Sequence, residues 1–412
     1  MAIPDVESAS SAKTVMFLSD MCVLDRNSGA ALSALSWMHT LTGAGYTCHS
    51  VSLSLFDGEA ETDMKAEFGL DIDPRDHVGA RIRFTLDGIE HNIVSAGTSS
   101  ATRLAPGMSE TFLELAADDL RRVRPDIVFG YGSGLLVPLR KLAGELGSAR
   151  VFYLANASYG DSPDLLEHVD KIVCPSRALA DYYRELHSWD CDVIRDLVPD
   201  FSRPETLTPD FIEARRRLGL VTMINPSFAK GGIQFIQIAN LCRSRLPDAR
   251  FLCLESRGTR KSLSQHLNGI ETLSNIWWLP EQRDMKPVFN RTAILLVPSL
   301  WFEASARVIA EAQLCGIPVI ANDVGGTVEQ LNGGGLHFSP PETLARDRLA
   351  LCRPEEVEPW VDAIGNLLGD AGYYHKCSEA AIRAARPFKH EERQAAVRDY
   401  FSRVASMNGG AP

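Results

Sequence analysis

Pro298-Ser299-Leu300-Trp301-Phe302-Glu303-Ala304-Ser305-Ala306-Arg307-Val308-Ile309-Ala310-Glu311 is the stretch on which the reading of the fold turns. The apolar run 293–297 before it predicts a buried strand that Pro298 ends. A turn of small residues follows, and a helix is predicted from near Ser305. Gly316, with Pro318 just beyond, is the usual punctuation for its end. The run 317–321 is a second buried strand. Strand, loop, helix and strand make one unit of a parallel sheet. Such sheets bind ligands at the carboxyl ends of their strands, where helix N-termini favour anions. This loop carries Glu303, and Glu311 stands two turns further on. The small residues Ala304, Ser305 and Ala306 let backbone N–H groups come close to a ligand. An acid beside an anion-binding turn suits a ligand with both hydroxyls and phosphates. Two plainer readings stand beside that one. Arg307 and Glu311 form an i,i+4 pair worth about 0.2–0.5 kcal/mol on a helix surface, and Glu303 is an acid placed to meet a helix dipole.

The 412-residue chain is 45% hydrophobic and 23% charged, an ordinary globular composition with length for two or three domains. A net charge of −11 argues against a nucleic-acid binder driven by phosphate contacts. The basic runs 121–124 and 215–217 read as solvated helix faces. The nine cysteines are scattered, odd in number and without a C-x-x-C, which reads as reduced thiols and no metal site. No run approaches the ~18–20 apolar residues of a membrane span. The polar N-terminus has no signal pattern. The chain therefore reads as cytoplasmic, with room only for a peripheral membrane contact.

Residues 1–13 read as a flexible leader. A strand at 14–19, a helix opened by Gly29 and a strand at 47–53 begin a nucleotide-fold domain over 14–205. Alternating segments around Asp87-Gly88 predict a hairpin. The strand at 126–130 runs into Gly130-x-Gly132-x-Gly134. That is not the dinucleotide fingerprint, and no acid follows the next strand to hold a ribose. A strand at 151–154 ends in Ala155-Asn156-Ala157-Ser158, where Asn156 also reads as a simple turn residue. Ser176 is placed to cap the next helix. The proline-rich stretch 196–210 is a linker, with a boundary near 205. A second α/β domain over 206–388 restarts with a strand at 221–225. The loop Pro226-Ser227-Phe228-Ala229-Lys230-Gly231-Gly232 then puts a lysine and glycines at a helix start, which is what a diphosphate needs. Trp277 and Trp278, on the strand 275–279, read as core. Thr327 with Gln330 fits a capping box. A final helix falls within 389–412.

Glu303 and Glu311, with seven residues between them, resemble the paired-glutamate motif of retaining glycosyltransferases with the two-domain GT-B fold. The likeness extends through 316–321 to Gly325-Gly326-Thr327-Val328-Glu329, and it is similar to family 4. That family includes sucrose synthases and many bacterial polysaccharide and natural-product transferases. The resemblance implies two Rossmann-like, doubly wound domains facing a cleft, the first binding acceptor and the second donor, with the terminal helix crossing back to the first domain. It implies a nucleotide-diphosphate sugar as co-substrate, most often a UDP-sugar, and no cofactor or metal. Lys230 matches the lysine on the donor diphosphate. Gly29 matches a glycine near the donor phosphates, one where the family has two. Asn156 stands where many members have a histidine, and Asn225 where most have an arginine. Arg257, Arg260 and Arg307 are the replacement cations at hand. Leu279 and Pro280 fall where the base is held. Glu303 with Ala304, Ser305 and Ala306 would grip the donor sugar and phosphate, and Glu311 the ribose. Glu329 matches a family acid and is read as orienting a cation.

The function implied is transfer of a hexose from a nucleotide sugar to an unidentified small-molecule, lipid-linked or glycan acceptor. The irregular loops 56–80, 95–107 and 131–135 would shape the acceptor pocket. Two alternatives remain open: a GT-B relative with other chemistry, such as a sugar-nucleotide epimerase, and a degenerate sugar-nucleotide-binding protein. Oligomeric state is open as well.

Overall fold

Two runs of strand–helix alternation give two parallel sheets. The computed structural model describes residues 12–57, 61–70, 73–104, 106–159 and 163–407. Residues 1–11 of the expected leader lie outside the described residues.

The first sheet holds β1 (Thr14–Ser19), β2 (Thr47–Leu53), β3 (Arg81–Leu86), β4 (Ile89–Val94), β5 (Ile127–Gly130), β6 (Ala149–Tyr153), β7 (Lys171–Cys174) and β8 (Asp192–Val193), in the order β3-β4-β2-β1-β5-β6-β7-β8. The expected hairpin is the antiparallel pair β3–β4. Its turn, Asp87-Gly88, has φ of 50° and 78°, which the Asp-Gly pair tolerates. β1 pairs in parallel with both β2 and β5, so the connection reverses direction at that point. Its helices are α1 (Gly29–Gly43), α2 (Met64–Phe68), α3 (Met108–Val123), α4 (Val137–Glu145) and α5 (Arg177–His187). Ser176 Oγ caps α5 by accepting from Leu179 N at 3.1 Å, as its position predicts.

The second sheet holds β9 (Leu220–Ile224), β10 (Arg250–Leu254), β11 (Ile276–Leu279), β12 (Ile294–Val297), β13 (Val319–Asn322) and β14 (Gly335–Phe338). Its order is β11-β10-β9-β12-β13-β14, and all its pairs are parallel. Around it run α6 (Pro209–Leu218), α7 (Gly232–Arg245), α8 (Arg260–Ser264), α9 (Lys286–Phe289), α10 (Arg307–Leu314), α11 (Thr327–Leu331), α12 (Glu342–Arg346), α13 (Pro354–Gly369) and α14 (Ala371–Ala385). A buried cluster including Val221, Met223, Ile233, Phe235, Phe251, Ile294, Trp360 and Tyr374 covers one part of this sheet. Another, including Leu295, Val297, Ile309, Ala312, Ile317 and Val319, seats α10. Strands buried on both faces explain why the sequence shows continuous apolar runs there and not alternation.

By packing, the chain forms two compact units. One comprises residues 1–154, 162–173 and 394–412; the other comprises 155–161 and 174–393. The division therefore runs by which groups pack together, and residues 174–205 fall in the second unit although β8 belongs to the first sheet. The last helix, α15 (His390–Met407), contributes Phe401 to the first unit. The Phe401 ring lies 6.0 Å from Trp37 and 5.3 Å from Phe129, so the terminal helix returns to the first sheet as expected. Trp37, Phe129 and Phe401 are fully buried, which fixes that return by apolar burial. Among the described residues no helix is long and apolar enough to cross a membrane. All nine cysteines are free thiols.

Candidate functional site

The second sheet reverses its direction of connection between β9 and β12, because β10 and β11 lie on one side and β13 and β14 on the other. Loops at such a switch point splay apart and leave a crevice at the carboxyl ends of the strands. The loop after β9 carries Lys230 and the loop after β12 carries Glu303. They meet there: Lys230 Nζ lies 2.6 Å from Glu303 Oε1. Glu303 is buried, its side chain 7% exposed, while Lys230 reaches the surface with 33% exposed. A buried carboxylate needs a cation, and Lys230 supplies it.

Glycines make this approach possible. Gly231 has φ of 80°, and a Cβ there would stand 1.9 Å from Pro298 O. Leu300 N donates to Ala229 O at 2.8 Å, so the two loops are stitched together backbone to backbone. α7 starts directly from Gly231 and directs its N-terminal end to the crevice, adding positive potential beside Lys230. Gln234 Oε1, on the first turn of α7, accepts from Asn322 Nδ2 at 2.9 Å in the core. That buried bond ties the helix start to β13.

The turn Gly325-Gly326 supports Glu303 from the other side. Gly326 N donates to Glu303 O at 2.6 Å. A Cβ on Gly325, whose φ is 58°, would stand 2.6 Å from the same oxygen. Ala304 and Ala306 are buried in this packing. Ser305 Oγ donates to Gln330 Oε1 at 3.3 Å. That bond corrects the expected capping box: Gln330 turns to Ser305, Gly326 is the N-cap of α11, and no side chain caps it. The helix predicted from Ser305 begins at Arg307, because Ser305 and Ala306 belong to the turn. Glu311 stands one turn along α10 from Arg307. Burial raises its carboxyl above the ordinary value, the Arg307 charge opposes that rise, and Asp196 adds a little to it.

The remaining predicted residues fall in several places. Asn225 sits at φ of 59°, and its Oδ1 accepts from Gly258 N at 2.9 Å. It therefore anchors the loop that carries Arg257 and precedes Arg260, and its carbonyl does not face outward for a ligand. Asn156 Oδ1 accepts from Ser158 N at 2.9 Å, the turn role that its residue type also allowed. Leu279 ends β11, its carbonyl accepting from Glu255 N at 2.8 Å, and Pro280 is exposed beside it. Gly29 lies in the first unit as the opening residue of α1, where Ser28 Oγ accepts from Ala31 N at 3.4 Å. Trp277, read as core, is 49% exposed; the Arg250 guanidinium lies 5.8 Å from its ring centroid. It sits on β11, the edge strand of the second sheet.

Glu329, read from the sequence as orienting a cation, makes two contacts behind the Gly325-Gly326 turn. Glu329 Oε2 accepts from Ala178 N at 3.0 Å, and Oε1 from Arg195 Nη2 at 3.3 Å. The cation paired with Glu329 is Arg195, 134 residues away in sequence.

Residues 215–370 match the family described as glycosyl transferases, group 1. The D-inositol 3-phosphate glycosyltransferase of Mycobacteroides abscessus is 28% identical over 278 residues, covering 61% of this chain and 57% of that protein. The enzyme of the same name from Nocardia farcinica is 27% identical over 281 residues, covering 61% and 58%. The chain thus matches little more than half the length of these relatives. Among solved structures, a glycosyltransferase from Rickettsia africae superposes with a TM-score of 0.69 at 17% identity, covering 96% of this chain and 99% of that one. Sucrose-phosphate synthase from Thermosynechococcus elongatus gives 0.70 at 13% identity, covering 96% and 100%. Anabaena HepE, solved with UDP-glucose, gives 0.66 at 15% identity, covering 95% and 99%. Two parallel sheets, a motif-bearing switch point in the second and these likenesses lead to one statement: the chain has the GT-B fold and is like glycosyltransferase family 4.

Proposed function

We propose that this chain is a glycosyltransferase that moves a hexose from a nucleotide-diphosphate sugar to an acceptor hydroxyl with retention of configuration. The observation that carries the reading is the Lys230–Glu303 pair at the second sheet's switch point, 2.6 Å apart beside the start of α7. A diphosphate arriving there competes for Lys230 and meets the helix dipole. Glu303 is then free to accept hydrogen bonds from sugar hydroxyls, and Glu311 to accept from the ribose. Donor binding thus exchanges the Lys230–Glu303 pair for contacts to the diphosphate and the sugar. As the bond from the sugar to the diphosphate breaks, Lys230 and the helix N-terminus meet the growing negative charge, which is preorganised electrostatic catalysis. The acceptor hydroxyl attacks the same face, and its proton passes to a departing phosphate oxygen. UDP is the nucleotide we assign, in line with Anabaena HepE, which was solved with UDP-glucose. The acceptor is a small molecule or glycan.

A second reading has its own support. Asn156 and Asn225 commit their side-chain carbonyls to the local backbone. Those bonds favour a protein that binds the nucleotide sugar without transferring it. The test is calorimetric and thermal-shift titration with UDP, GDP, ADP and dTDP and their glucose conjugates, followed by assay of UDP release. Binding of one series, about 30-fold weaker in Lys230→Ala and lost in Glu311→Ala, with UDP release that persists in EDTA, is the expected outcome. Binding without release under any acceptor would favour the binding protein. No binding near millimolar concentration would sink both readings.

A further inference from the structure

α11 is five residues long, too short to hold its own place by helical hydrogen bonds. It nevertheless begins at the Gly325-Gly326 turn that props Glu303. Beside the Ser305–Gln330 bond and its buried residues, Glu329 ties it to a longer helix. Its carboxylate lies at the N-terminus of α5, where Ala178 N donates to Oε2 at 3.0 Å and the helix dipole favours a negative charge. Arg195 donates to the other oxygen at 3.3 Å. The two side chains are 19% and 29% exposed, so the pair is shielded but not sealed.

The contact continues along α5. A Cβ on Gly326 would stand 3.1 Å from Ser176 Oγ, the cap of α5. The Tyr182 ring lies 4.9 Å from Phe302, next to Glu303. Tyr183 Oη donates to Asn156 O at 3.0 Å and accepts from Tyr159 N at 2.9 Å. A single helix therefore touches the turn behind Glu303, the residue before Glu303, and the loop of Asn156. All of these groups lie in the second unit.

We propose that Glu329 is a positioning residue that locks the Gly325–Gly326 turn against α5 and so sets where the Glu303 carboxylate stands relative to the donor sugar. The proposal rests on the nucleotide-sugar reading above. Glu329 need not touch the ligand. It acts through the Gly326 N–H bond to Glu303 O. Loss of an ordinary stabilising ion pair would lower the melting temperature and leave ligand discrimination alone; loss of a positioning residue changes discrimination itself.

The test uses the full chain as wild type, Glu329→Ala and Glu329→Gln. UDP and UDP-glucose affinities are measured by calorimetry, and amide exchange by mass spectrometry on peptides covering 302–306 and 324–328, with 250–254 as reference. Glu329→Ala is expected to keep UDP affinity within about twofold while losing about tenfold for UDP-glucose, a scale typical of small displacements at a site. Exchange at 324–328 is expected to quicken with 250–254 unchanged. Glu329→Gln, which keeps a carbonyl acceptor for Ala178 N–H, is expected to recover most of both. Equal loss for UDP and UDP-glucose, no loss for either, or unchanged exchange would overturn the proposal. Equal wild-type affinities for the two ligands would also overturn it, by removing the sugar contact that Glu329 serves. If wild type binds neither, the nucleotide-sugar reading falls and the exchange data alone judge Glu329.

Discussion

Two glycine-rich turns, one in each unit, obey the same steric rule and carry opposite charge. In the first unit, a Cβ on Gly130 would stand 1.9 Å from Leu18 O; in the second, a Cβ on Gly231 would stand 1.9 Å from Pro298 O. Both glycines let a loop cross the neighbouring strand's end at contact distance. Beside Gly132 stands Asp20, whose Oδ2 accepts from Ser133 N at 3.1 Å and from Ser133 Oγ. Beside Gly231 stands Lys230, paired to a glutamate that a ligand can relieve. Glycine spacing therefore reports close backbone approach. The charge beside it, and whether a long helix starts there, separates a phosphate-type turn from a latch.

The comparison breaks first at the glycines. Gly130→Ala and Gly231→Ala should each cost at least ~3 kcal/mol in urea unfolding, since both force backbone overlap and Gly231 adds a left-handed φ. If Gly231→Ala unfolds at the wild-type midpoint, the second turn is not packed as described.

Titration should separate the units next. His91 is buried, its Nδ1 2.7 Å from Ser50 Oγ, and burial pushes its imidazole down to about 4. The native state then binds its proton later than the unfolded chain does. Stability from this group is whole above pH 6.5 and declines as pH falls towards 4, by about 3 kcal/mol in all. Glu311 in the second unit has the opposite sign: with its carboxyl raised, it costs stability as pH rises through the unfolded value of 4.5. Urea midpoints between pH 7 and pH 4 should flatten in His91→Gln. In Glu311→Gln stability at pH 7 should rise, even as UDP binding is lost.

The charge difference gives a third test. Lys230→Ala should weaken UDP about 30-fold, or about 2 kcal/mol, the scale of a hydrogen bond to a charged group. Asp20→Asn should leave UDP affinity unchanged. The smallest effect is on stability: Asp20→Asn should lose about 1 kcal/mol, because a weaker acceptor replaces the carboxylate under Ser133. Loss of UDP binding in Asp20→Asn would show that the first turn is more than a latch.

The fold was largely legible because its signals are local. Apolar runs, the Asp87-Gly88 turn, Ser176 as a cap and Gly316 after a helix each act within a few residues. The Trp277 and Gln330 readings failed for the opposite reason. Whether Trp277 is covered depends on β11 being an edge strand, and whether Gln330 caps its helix depends on Ser305 lying within reach. Asn156 and Asn225 show a third case. Their residue types allowed a ligand contact or a turn, and their backbone surroundings took up the carbonyls.

The amino-acid sequence by itself determined two α/β sheets, the strands that carry them, and, in the second, a lysine and a glutamate in loops after strands with a further glutamate on the helix that follows. Periodicity and turn chemistry are written in neighbours along the chain, so they can be read without coordinates. Only the tertiary structure decided that Lys230 meets Glu303, 73 residues away, and that Glu329 holds Ala178, 151 residues away. Those pairings depend on strand order at the switch point and on which short helix packs on which long one. No local pattern encodes either, because both are settled by burial and backbone approach across the whole second unit.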